Sequence, residues 1–147
     1  WESIKLDTEL GVNLHSPIRL CLALIPLLSA QEQSWIINTT SVLAVSPKQS
    51  TPVYNASKAA LRLFTQAIRY QLRDTSIKVC EVIPPVTATA LGNASEKQNA
   101  PSPEWVASRI LNQLTKGKLE IIIGQARLGM ALHRWLPDLL HRILIKT

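Results

Sequence analysis

Ser41-Val-Leu-Ala-Val-Ser-Pro-Lys-Gln-Ser-Thr-Pro-Val-Tyr-Asn-Ala-Ser-Lys58 is the stretch that decides the fold. It starts where an apolar run ends, crosses a loop holding Pro47 and Pro52, and enters a long helical pattern with Tyr54 and Lys58 in its first turns. Residues four apart on a helix share a face, with Cβ atoms about 5–6 Å apart, so the phenol and the amine are neighbours. A phenol at its ordinary pKa of about 10 is a poor base near neutral pH. An adjacent ammonium favours the phenolate, so the pairing predicts a tyrosine lowered toward the pH at which a general acid/base works best. Ser41, at the end of the preceding run, is placed to hydrogen-bond the oxygen that exchanges this proton. Tyr-x-x-x-Lys alone occurs on any amphipathic helix as a solvated surface pair. Its weight comes from what surrounds it.

Working outward, Ser34-Trp-Ile-Ile-Asn-Thr-Thr40 predicts a strand at 34–40, buried on both faces. Pro52 opens the helix after it, which spans 53–72 with Ala59, Ala60, Leu63, Phe64, Ala67, Ile68 and Leu72 as a broad apolar face. Ile77 to Ile83 predicts a second buried strand, at 77–83, followed by Pro84-Pro85-Val86-Thr87-Ala88-Thr89. Leu91 to Ser102 is polar and aperiodic and predicts a lid. A helix opens at Pro103, and a third strand is expected at 119–124. Upstream, 6–28 predicts a helix with Asp7 as N-cap and a stripe through Leu10, Leu14, Ile18, Cys21, Leu22 and Ile25. Gly11, Asn13, Ser16 and Pro17 predict a kink in its middle. A helical proline removes the donor for the carbonyl four residues back. Here that is Asn13, whose carbonyl is left free to hold a water.

This order of strand, Ser41, Tyr54-x-x-x-Lys58 helix, strand and Pro84…Thr89 resembles the short-chain dehydrogenase/reductase family. The resemblance runs over nearly the whole chain and corresponds to the C-terminal part of that family's fold. It implies an α/β protein, the C-terminal part of a Rossmann-like doubly wound parallel sheet with strands 34–40, 77–83 and 119–124. It further implies an NAD(P)(H)-dependent oxidoreductase interconverting a carbonyl and an alcohol. Catalytic roles would fall on Ser41, Tyr54, Lys58 and Asn13, the last holding a relay water. Cofactor contacts would fall on Tyr54, Lys58, Pro84, Val86 and Thr89, with Thr89 at the nicotinamide carboxamide. Pro85 stands where the family usually has glycine, which puts the local backbone in question because proline cannot take a positive φ. Family members usually dimerise through the helices corresponding to 6–28 and 53–72, so a homo-oligomer is expected.

The family's glycine-rich βαβ half, which holds the adenosine and pyrophosphate, has no counterpart in residues 1–147. NAD and NADP therefore stand equal at this point. Its absence leaves strand 34–40 as an apolar edge, an aggregation hazard. The whole chain is expected to form a single partial domain.

With 147 residues, 46% apolar and 18% charged, the composition is that of a globular domain rather than a disordered one. The net charge of +6 is spread along the chain and does not favour nucleic acid. Cys21 and Cys80 have no metal or redox spacing and sit in apolar runs, as reduced core residues do. The chain begins with Trp1, and no secretory signal opens it. The longest apolar run, Leu20 to Leu28, is too short to span a bilayer and holds Pro26. These features predict a cytoplasmic protein acting on a small molecule. Sequons at Asn38 and Asn55 lie in a buried strand and beside Tyr54 and are expected to be coincidental; a third begins at Asn93. The tail, 125–147, is amphipathic, with Leu128, Leu132, Trp135, Leu136, Leu139, Leu140 and Ile143 on one side, Pro137 as a break, and Arg127, Arg134, Arg142 and Lys146 along it. It is expected to pack on its own domain or a partner subunit. Two other readings stay open: a non-catalytic remnant or interaction module, and a peripheral membrane protein docking through this basic tail.

Overall fold

The computed structural model describes residues 3–89 and 99–145; most of the expected lid, residues 90–98, lies outside them. Helix α1 (Ser3–Leu10) runs through a π-helical turn, Gly11–His15, into α2 (Ser16–Ser29). Strand β1 (Ser34–Thr39) leads into a 3₁₀ turn, Val42–Ala44, and helix α3 (Pro52–Gln71). Strand β2 (Ile77–Ile83), helix α4 (Pro103–Leu114), strand β3 (Glu120–Ile122) and helices α5 (Ala126–Trp135) and α6 (Pro137–Ile145) follow. The strands form one parallel sheet in the order β1-β2-β3, with Ser34 opposite Ile77 and Glu81 opposite Glu120. The α/β fold expected from the sequence is the fold adopted.

Alternation along β2 sends successive side chains to opposite faces. Ile77 and Val79 join Cys21, Ile36 and Ile68, with Ile25, Leu28, Phe64 and Leu72 packed on them from α2 and α3. Cys80 and Val82 turn the other way, to Ile121 and Ile123, and meet Ile110 and Leu114 of α4. Helices thus cover both faces of β2, which is buried at every position but Lys78. β1 differs from expectation. Its burial alternates, and Ile37 is 44% exposed. On that face Trp35 is only partly buried, at the margin of the cluster that Ile110 and Leu114 cover. Both cysteines are free and buried, and burial pushes the Cys80 thiol up to about 11.

The helix expected at 6–28 begins earlier, so Asp7 lies inside it and is not its cap. The predicted kink takes another form. Ser16 N–H donates to the Gly11 carbonyl, five residues back, and Pro17 falls near the start of α2, where an N–H is dispensable. The widened turn absorbs the missing donor, and single π turns of this kind frequently mark functional positions. Counted through the turn, the 25 residues Lys5–Ser29 include an 18-residue window with a mean hydropathy of 1.4, long and apolar enough by length and composition to cross a membrane. The run Leu20–Leu28 alone did not suggest this. Its inner stripe, Cys21, Ile25 and Leu28, packs on the sheet layer through Ile36 and Phe64.

Pro85 resolves simply: among the described residues only Gly117 and Gly124 have positive φ, and the Pro85 ring packs against Gly124. A Cβ added to Gly124 would make only ordinary contact with that ring, at 3.4 Å; the φ of 58° is what favours glycine there. Pro137 divides the tail into α5 and α6, and α5 rests on the 3₁₀ turn beside Ser41. The contact is tight at Gly129, where a Cβ would sit 2.8 Å from Val42 Cγ1. Gly129→Ala is therefore expected to lower stability by about 1–3 kcal/mol, the usual penalty of overpacking. Thermal melting measures it, and an unchanged melting temperature would mean that α5 does not bear on this turn.

Candidate active site

Because the strands are parallel, their carboxyl ends share one edge, the side on which open α/β sheets bind ligands. Ser41 leaves β1 and Pro84 leaves β2 at that edge. Ser41 is extended, with φ −157° and ψ 161°, and its Oγ accepts the Leu43 N–H at 3.1 Å, capping the 3₁₀ turn. The turn fixes the hydroxyl at the strand end.

Tyr54 comes from the first turns of α3. The start of that helix is tied down by Asn55, whose Nδ2 donates to the Lys48 carbonyl at 2.8 Å while its Oδ1 accepts from Thr51 Oγ1 at 3.2 Å. Asn38 is likewise buried, with Nδ2 donating to Thr65 Oγ1 at 2.9 Å. Asn38 and Asn55 of the first two sequons are thus occupied internally, and the third, at Asn93, lies outside the described residues. The Tyr54 side chain is half-buried and lies close enough to that of Ser41 for the hydroxyl to act on it. Burial raises its pKa above the usual phenol value; the Ser41 hydroxyl opposes this, and the negative charge of Glu9 adds to it.

The expected lowering of Tyr54 by Lys58 is not what the site shows. Lys58 Nζ lies over the tyrosine ring, 5.6 Å from its centroid, and donates to the Thr39 carbonyl at 3.0 Å. The i, i+4 spacing shares a face, but the backbone oxygen captures the ammonium. Burial also lowers the Lys58 pKa. Glu9→Gln tests the balance: it removes a charge that disfavours the phenolate, so Tyr54 is expected to ionise at lower pH. The chain has two tyrosines, so ultraviolet titration with Tyr70→Phe as background follows Tyr54 alone. An unmoved titration would remove Glu9 from the account.

A groove of about 460 Å³ runs between the helix through Val12, Asn13 and Pro17 and the exposed edge of β1, with Thr39 and Lys58 also on its wall. The structure thereby brings Asn13 to the same cleft as Lys58. The carbonyl of Asn13 sits in the π turn, and the residue four ahead, Pro17, has no N–H. Pro84, Val86 and Thr89 lie in the segment leaving β2, with Pro84 half-buried and Val86 and Thr89 exposed. That segment is bent back by Thr89 N–H donating to the Thr87 carbonyl at 2.8 Å and Thr87 Oγ1 donating to the Pro85 carbonyl at 3.0 Å. It shares the edge with Ser41.

Sequence reasoning missed Glu9, the Thr39 carbonyl, and a buried ion pair between Arg62 and Glu81 at 2.8 Å. Glu81 had a signal: a carboxylate amid Val79, Cys80, Val82 and Ile83 is out of place unless paired.

The arrangement brings a Ser, a Tyr and a Lys to the carboxyl edge of a Rossmann-like parallel sheet. The short chain dehydrogenase family profile matches residues 2–100. The uncharacterized oxidoreductase DltE of Bacillus subtilis is 36% identical over 118 residues, covering 77% of this chain and 47% of the relative. An uncharacterized oxidoreductase of Staphylococcus epidermidis is 31% identical over 90 residues, covering 61% of this chain and 39% of the relative. Among solved structures, a short chain dehydrogenase from Burkholderia cenocepacia in complex with NADP superposes with a TM-score of 0.88 at 24% identity, over 97% of this chain and 62% of that one. A short-chain dehydrogenase from Sphingobium yanoikuyae in complex with NADPH gives 0.70 at 23% identity, over 88% and 53%. The chain belongs to the short-chain dehydrogenase family, a family of oxidoreductases. It spans about half the length, or less, of the curated relatives it matches.

Proposed function

We propose that the chain is the catalytic and substrate-binding half of a nicotinamide-dependent oxidoreductase that interconverts a carbonyl and an alcohol. The observation that carries this reading is Tyr54 beside the Ser41 hydroxyl, with Lys58 over the tyrosine ring on the same helix face, at the carboxyl edge of a parallel sheet. An oxygen held between Ser41 and Tyr54 receives a hydrogen bond from the serine and a proton from the phenol. The raised pKa of Tyr54 keeps it protonated at neutral pH, which suits it to act as the acid when a carbonyl is reduced.

The residues fit a dinucleotide's nicotinamide end. An ammonium has three donors; Thr39 takes one from Lys58, which leaves N–H groups suited to ribose hydroxyls. Thr89 would reach the carboxamide from the β2 exit, and Pro84 and Val86 would border the ring. Asn13 would hold the water that returns protons to Lys58. The cofactor, when bound, supplies the hydride; the protein supplies position and proton. NADP and NADPH in the related structures support a nicotinamide dinucleotide, and the group that chooses between NAD and NADP has no candidate in this sequence.

Exposed Leu20, Leu22, Leu24 and Leu27 on α2 and Leu63 and Tyr70 on α3 support a homo-oligomer through these helices. We place the protein in the cytoplasm on the same footing. The test is loss of reduced-nicotinamide absorbance when the longer chain carrying residues 1–147 meets a panel of aldehydes and ketones. No oxidation of NADH or NADPH across the panel would leave the non-catalytic reading in its place.

A further inference from the structure

Tyr54, Lys58 and Arg62 stand four apart on one face of α3, and all three are turned to the strand end. Tyr54 lies beside the Ser41 side chain, whose hydroxyl acts on it. Lys58 donates to the Thr39 carbonyl at 3.0 Å. Arg62 pairs with Glu81 Oε1 at 2.8 Å, and the same Oε1 accepts the Thr40 hydroxyl. Thr40 is held a second time, by its own N–H donating to the Val82 carbonyl at 2.8 Å. Two consecutive residues, Thr39 and Thr40, are thus fixed from one helix face, the second through a fully buried carboxylate, immediately before Ser41.

The carboxylate is poorly explained as a stabilising feature. Glu81 has no exposed surface, and its second oxygen, Oε2, finds no partner among the described residues. Glu120 accepts only Arg62's other nitrogen, at 3.2 Å, on the exposed side. Buried ion pairs are often no more stable than well-packed apolar side chains of similar volume, and an unpartnered buried oxygen makes this one worse. The neighbours Val79, Val82 and Ile83 show what packing alone would put there. What an apolar residue would not provide is an acceptor for Thr40, the residue immediately before the serine.

We propose that Glu81, oriented by Arg62, is a positioning residue that locks Thr40 so that the Ser41 hydroxyl meets Tyr54. The inference rests on the proposed partnership of Ser41 and Tyr54, and the test separates the two. In a Tyr70→Phe background the ionisation of Tyr54 is followed by titration, and melting temperature is recorded for every variant. Ser41→Ala removes a hydroxyl that lowers the Tyr54 pKa, so the titration is expected to move up. Thr40→Val and Glu81→Leu are expected to move it in the same direction, since both release Thr40. Thr40→Ser and Glu81→Gln keep a hydroxyl and an acceptor and are expected to restore the parent value. Lys58 and Glu9, the charged groups around the phenol, are unchanged throughout. Thr40→Val preserves shape and carries the test if Glu81→Leu fails to fold. A shift with Ser41→Ala but none with Thr40→Val or Glu81→Leu, whatever their melting temperatures, would overturn this inference alone and leave Glu81 a structural ion pair. No shift with Ser41→Ala would overturn the Ser41–Tyr54 partnership and this inference with it.

Discussion

Tyr54→Phe is expected to lower turnover of the longer enzyme by about 10²–10⁴-fold, the contribution of a positioned general acid/base. The ring stays, so its packing in the half-buried site and the Lys58 contact at 5.6 Å stay with it. Only the hydroxyl that meets Ser41 is lost. Folding should survive, and the melting temperature should hold, because a hydrogen bond between two partly buried groups is worth about 1 kcal/mol net. Steady-state kinetics beside thermal melting reads both. Retained turnover would remove Tyr54 from the chemistry; a collapsed melting transition would make it a structural residue instead.

The second large effect concerns residues 1–147 alone. A dinucleotide's pyrophosphate normally rests on a helix N-terminus behind a glycine-rich turn, where free N–H groups and the dipole favour anions. The sequence has no such turn. Losing that site costs several kcal/mol, and each 1.4 kcal/mol is about tenfold in affinity. The 147-residue chain is therefore expected to bind neither NADH nor NADPH at micromolar concentration. A second consequence comes from β1, which pairs with β2 on one side only. Its other edge offers unpaired backbone groups beside the exposed Ile37, and edges of this kind seek another strand. The chain should be soluble as an oligomer or together with an N-terminal half. Calorimetry with both nucleotides, run beside light scattering, decides the two points, and micromolar binding by a clean monomer would contradict both.

The parallel sheet was legible because β2 is a short, mostly apolar run rich in Ile and Val whose two faces are both covered. β1 is also apolar at its centre, but Ile37 stays exposed, and composition cannot show which neighbour is present. The disturbance at Pro17 was legible as a missing donor. Its form was not, since a lost hydrogen bond can be absorbed by bending or by widening one turn. Spacing placed Tyr54 and Lys58 on one face, yet the ammonium's direction depended on the Thr39 carbonyl, a backbone atom that no side-chain pattern reports. Burial then reversed the expected sign at Tyr54, because desolvation outweighs an ammonium that lies over the ring rather than against the oxygen. Glu81 was visible as a charge in an apolar strand; its partners belong to α3 and to the end of β1, and only the fold brings them together.

Following the hydride tests the central claim most directly. The longer enzyme, given reduced nicotinamide dinucleotide labelled with deuterium at C4 and a carbonyl it turns over, should deliver that deuterium to the carbonyl carbon. The alcohol should take its hydroxyl proton from solvent, and Tyr54→Phe should yield almost no labelled alcohol. Label transfer by Tyr54→Phe at the wild-type rate, or product formed without deuterium on carbon, would contradict the account.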